Sequence, residues 1–114
     1  MKTSPDGLSI INRYSDTYWT EDLEKVESAI DRLVKIELKT SQFSALVSFV
    51  SSIGIPAFER SGILRLINNR KFIKAVDGFK DYVEIDNQKD KGLIRRRKAE
   101  RALFLKPVIV VYNP

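Results

Sequence analysis

Apolar residues recur at helical spacing through most of this 114-residue chain, and the polar positions between them turn from acidic to basic along its length. The cleanest stripe is Leu23, Val26, Ile30 and Leu33. Thr20 precedes it as a capping residue, and Glu21, Asp22 and Glu24 suit the positive end of a helix. Glu24, Glu27, Asp31, Lys35 and Lys39 fall on the other face and predict a solvated surface, with Trp19 placed to close over the first turn. Thr40 or Ser41 can cap a second helix, predicted to run to about Ile53. It carries Phe43, Leu46, Val47, Phe49 and Val50 on more than one side, and no charged residue occurs from Thr40 to Pro56. A helix that is uncharged all round belongs at the centre of a core or in an interface, so Phe43 and Phe49 are candidate interface residues. Gly54 ends it and Pro56 enforces a break, making 54–56 a tight connection.

A short helix is predicted over 61–68, followed by a turn at Asn68 and Asn69. Phe72, Val76, Phe79 and Val83 then form another stripe and predict a helix from Arg70 to Tyr82. The polar run Glu84 to Gly92 reads as an exposed loop. A last helix from Leu93 to Phe104 lacks an apolar stripe, because at ~100° per residue Leu93, Ile94, Ala102, Leu103 and Leu105 scatter among Arg95, Arg96, Arg97, Lys98 and Arg101. Such a segment is either gripped from several sides or ordered only when a partner binds. Residues 8–14 can form a strand. Val108, Ile109, Val110 and Val111 form a β-branched run better suited to a strand than to a helix. That terminal strand would pair with residues 8–14 or with its equivalent in a second copy, making Val108, Val110 and Tyr112 interface candidates and a homodimer a candidate assembly. The expected fold is mainly α: four to five short helices around one core in a single domain, 1–114, with the terminal segments available as a small two-stranded sheet.

Composition narrows the chemistry. The chain contains no cysteine and no histidine, which removes thiol nucleophiles, thiolate metal sites and the usual general base near neutral pH. No cofactor or metal is expected. Asp77 and Asp81, Glu27 and Asp31, and Asp86 and Asp90 are ordinary carboxylate spacings without a third acidic ligand, and the five scattered glycines form no phosphate loop. No stretch approaches the ~20 apolar residues of a membrane span and Met1 to Tyr14 lacks a signal-peptide core, so the expectation is a cytoplasmic protein.

The net charge of +5 is unevenly placed: residues 1–59 carry −3 and residues 60–114 carry +8. The densest cluster is Arg95, Arg96, Arg97, Lys98 and Arg101, and a second comprises Arg65, Arg70, Lys71 and Lys74. Arginine forks match phosphate oxygens, and crowded cations favour a polyanion. Glu100 and the neighbouring loop acids would relieve the first cluster if it were only a solvated helix face. As a helix-turn-helix reader, residues 42–69 fail on Pro56 and Gly62. These features predict a non-enzymatic nucleic-acid-binding accessory protein that contacts DNA or RNA phosphates through the nine cations named, with weak sequence selectivity. The alternative is a protein-interaction module, an adaptor, inhibitor or structural subunit, that uses the uncharged second helix and the apolar C-terminus and docks its cations on an acidic protein surface.

Overall fold

A computed structural model describes residues 22–107. Among these residues six α-helices surround one apolar core: α1 (Leu23–Leu33), α2 (Thr40–Ile53), α3 (Ile55–Arg60), α4 (Gly62–Asn68), α5 (Phe72–Asp77) and α6 (Lys91–Phe104). A 3₁₀ turn, Gly78–Asp81, follows α5, and a two-stranded antiparallel sheet, β1 (Glu84–Ile85) and β2 (Gln88–Lys89), precedes α6. The mainly helical expectation holds. The anticipated terminal strands, with Val108, Val110 and Tyr112, lie outside the described residues.

Asp22 opens α1, its carboxylate accepting the Glu24 amide at 2.9 Å. Val26 and Ile30 are fully buried, as their spacing requires. The far end of α1 is held by a residue distant in sequence. Asn68 donates from Nδ2 to the Leu33 carbonyl at 3.1 Å and accepts the Lys35 amide on Oδ1 at 2.7 Å, pinning α1 to α4.

Helix α2 is the central element, with every residue from Ser44 to Ser51 buried. Phe49 stacks on Phe79 with ring centroids 4.1 Å apart and meets the edge of Tyr82 at 5.2 Å. It is therefore a core residue and not an interface residue; only Phe43, half-buried, retains an outer edge. Burying a side chain of this size contributes ~3 kcal/mol. Gly54 ends α2 at φ 95°, a conformation that favours glycine. Pro56 does not simply break the chain. It sits in the first turn of α3, where a missing N–H costs nothing, and this helix was not foreseen.

The predicted helix over 70–82 divides into α5 and the 3₁₀ turn. At Gly78, where they join, a Cβ would lie 3.1 Å from Ile63 Cγ1, so glycine lets this backbone pack against α4. The expected loop at 84–92 contains a hairpin. Asp86 and Asn87 take φ of 52° and 66°, the pair of positive values a two-residue type I′ turn needs, and pair Glu84 with Lys89. Asp90 then caps α6 by accepting the Leu93 amide at 3.4 Å.

Candidate functional site

The chemistry-bearing residues gather around α6. One face of this helix meets α2. The other, together with α5, the 3₁₀ turn and the hairpin, bounds a cleft of about 500 Å³. Its floor is apolar, formed by Val76, Phe79, Val83 and Ile94, and its rim carries Asp77, Asp81 and Glu84 near Lys80, Lys89, Lys98 and Arg101. Across this rim Arg101 Nε meets Asp77 Oδ1 at 2.9 Å. Both side chains are nearly half exposed, so this pair is screened and contributes little. A concave apolar surface with a few charged groups is the form a small-ligand site takes.

Behind the cleft, and reaching its lining through Arg97, lies a charged network that is almost wholly buried. Arg96, Arg97 and Glu100 are at most 2% exposed. Glu100 Oε2 accepts from Arg96 Nε at 3.2 Å, from an Arg97 terminal nitrogen at 3.1 Å and from the Ser48 hydroxyl of α2. Arg96 also donates to the Ser48 carbonyl at 2.8 Å. Arg97 Nε lies 2.7 Å from Glu100 Oε1 as an ion-pair contact without hydrogen-bond alignment. Its guanidinium stands 5.2 Å over the Phe49 ring and donates at 3.4 Å to the Tyr82 carbonyl. Burial pushes the Glu100 carboxyl above its ordinary range, against the pull of Arg97, Ser48 and Arg96. Burial likewise lowers the Arg97 pKa, with Glu100 opposing.

This network corrects the reading of the basic run. The sequence places five cations within seven positions, yet Arg96 and Arg97 point inward and are spent on Glu100, Ser48 and Tyr82, so they cannot present a fork to phosphates. Arg95 and Lys98 are exposed, and Arg101 is exposed but paired with Asp77. In the second cluster Arg65, Arg70, Lys71 and Lys74 are all exposed. The apparent lack of a stripe on α6 is resolved too: Leu93, Arg96, Arg97, Glu100, Leu103 and Phe104 form one buried face, with charged residues at its middle. Glu100 and Ser48 were missed as site-building residues. The signal for Glu100 was its spacing of three and four from Arg97 and Arg96.

Glu100 is a carboxyl with a raised pKa, the property of a general acid, but enclosure on all sides keeps it from any substrate. Among the described residues no group of three or more acidic residues could hold a metal. No described helix is long and apolar enough to cross a membrane.

Comparison with known proteins identifies the class of molecule this scaffold resembles. The family model described as phage lysozyme matches residues 2–100. The endolysin of Salmonella phage P22 is 38% identical over 87% of this chain and 67% of its own length. The endolysin of Bacillus phage B103 is 35% identical over 75% of this chain and 32% of its own. The chain thus spans about one to two thirds of the length of these curated relatives. A crystal structure of a P22 lysozyme mutant superposes with a TM-score of 0.77 at 27% identity, covering 93% of this chain and 99% of that one. These matches overturn the expectation of a non-enzymatic protein that binds DNA or RNA, together with its alternative, a non-enzymatic interaction module. The charge asymmetry that suggested a nucleic acid is real, but two of the five cations in its densest cluster are internal structure.

Proposed function

This chain belongs to the phage lysozyme family, and from that premise we propose that it is a hydrolytic enzyme acting on peptidoglycan. The observation that carries the reading is the family match over residues 2–100, which takes in every described helix, α6 up to its buried Glu100. The structural likeness to a P22 lysozyme supports the same assignment.

Cleaving a glycosidic bond by the usual route takes two carboxyl groups about 5–10 Å apart, one protonated to release the leaving group and one ionised. Glu100 fills neither role, because its oxygens are held by α2 and α6. Its part is to lock the two helices that form the wall behind the cleft. The family match also spans Asp6, Asp16 and Glu21, and the cleft rim offers Asp81 and Glu84. Cell-wall material carries many carboxylates, so the basic half of the chain would speed encounter at low ionic strength, and activity should fall as salt rises.

The test is incubation of the purified protein with a peptidoglycan suspension, following turbidity and the release of new reducing ends and new free amines. Clearing with reducing ends and no amines supports glycosidic cleavage. Amines without reducing ends would move the reaction to the peptide. Unchanged material at low salt would sink the reading. Neutralising Asp6, Asp16, Glu21, Asp81 and Glu84 one at a time then tests for the acid–base pair: loss of turnover with an unchanged melting temperature marks a catalytic carboxyl.

A further inference from the structure

Between α4 and α5 the chain presents Arg70, Lys71, Phe72, Ile73 and Lys74 around one shallow surface depression. The three cations are exposed, and among the described residues none has a side-chain ion pair or hydrogen bond. Ile73 projects between them with 63% of its surface in solvent, more than any other large apolar residue described. Phe72 beside it is half-buried and roots the patch in the core through an edge contact with Phe104 at 5.5 Å.

Local structure does not account for these residues. The turn is a Schellman motif: Lys71 N–H donates to Leu66 carbonyl at 2.9 Å and Arg70 N–H to Ile67 carbonyl at 2.9 Å. Arg70 occupies its left-handed position at φ 60°, where glycine is the favoured residue. Lys71 is the N-cap of α5, the end where a helix favours anions, and Lys74 in its last turn makes no ion pair among the described residues. An exposed isoleucine contributes nothing to the core. Each residue is thus unfavourable or idle for the fold, and together they combine apolar reach with positive charge.

We propose that residues 70–74 dock this protein on a bilayer surface rich in anionic phospholipid, with Ile73 entering the headgroup boundary and Arg70, Lys71 and Lys74 lying among lipid phosphates. Charge complementarity names the anionic partner, and the exposed Ile73 selects a bilayer over a soluble polyanion, which offers no apolar phase. The inference does not depend on hydrolytic activity.

The chain has no cysteine, so Ile73→Cys can be labelled alone with an environment-sensitive nitrobenzoxadiazole dye, and Ile85→Cys, the other exposed large apolar residue among those described, serves as control. With phosphatidylglycerol vesicles the dye at 73 should brighten and shift to the blue, while the dye at 85 should not, and phosphatidylcholine vesicles should leave both unchanged. Lys71→Glu with Lys74→Glu should lower vesicle partitioning by roughly tenfold or more. A silent dye at 73, or an equal response at 85, would overturn the proposal. So would binding to soluble polyphosphate as tight as to vesicles with no change in the dye at 73, which would assign the cations to a soluble polyanion.

Discussion

Glu100 carries the largest share of structural meaning for a single residue. It satisfies two buried guanidiniums and ties them to Ser48 on α2. Glu100→Ala leaves both cations without their acceptor and opens a cavity; the expected loss is about 3–5 kcal/mol, read from urea unfolding. The pH dependence has a defined sign. Burial raises the Glu100 pKa in the folded state, so folding takes up a proton. The stabilising contribution is complete below the ordinary carboxylate range and is lost as pH rises through the higher folded value. Glu100→Gln keeps the volume and one acceptor oxygen but cannot titrate. The wild type should therefore lose stability relative to Glu100→Gln as urea melts are taken from about pH 4 to pH 7; parallel curves would show that the arginines balance burial, and a relative gain that they outweigh it. In sequence, Glu100 reads as one acid relieving a crowded basic surface, because residue type alone does not reveal which way a helix face points.

Among elements, boundaries set by local chemistry were legible and those set by packing were not. The stripe at Leu23, Val26, Ile30 and Leu33 marks α1 and the uncharged run from Thr40 marks α2, but the N-caps are Asp22 and Lys39, not the expected Thr20 and Thr40 or Ser41. Helix α3 escaped notice because it is six residues long and its proline reads as a breaker, whereas in the first turn of a helix the ring is compatible. The hairpin escaped because Asp86 and Asn87 are ordinary loop residues until the strands beside them pair. The turn at Arg70 gives a test at this scale. Relieving a left-handed arginine gains about 1–2 kcal/mol, partly offset by the flexibility glycine brings to the unfolded chain. Arg70→Gly should accordingly raise stability by ~0.5–1 kcal/mol in thermal unfolding while weakening binding to phosphatidylglycerol vesicles. A gain in one and a loss in the other would mark Arg70 as retained for contact, not for folding.

For the whole molecule, one apolar core joins all six described helices, α3 through its fully buried Phe58, and Phe49 is in contact with Phe79, Tyr82 and the Arg97 cation. Phe49→Ala should cost about 3–5 kcal/mol in urea unfolding and Phe43→Ala distinctly less, because Phe43 is only half-buried. Equal losses would return Phe49 to the status of a surface residue. Assignment to a hydrolytic family came from similarity across residues 2–100 and not from any catalytic motif legible in the chain. What the sequence determined by itself was the mainly helical class, the places of α1 and α2, and the separation of an acidic half from a basic one. These follow from periodicity, capping and charge, which are local quantities. Only the tertiary structure decided that Arg96, Arg97 and Glu100 are interior, that Phe49 is core, and that Arg70, Lys71, Ile73 and Lys74 share an exposed patch. Burial depends on which elements meet, and a charged residue enters a core only when a partner far along the chain, here Ser48 for Glu100, arrives to satisfy it.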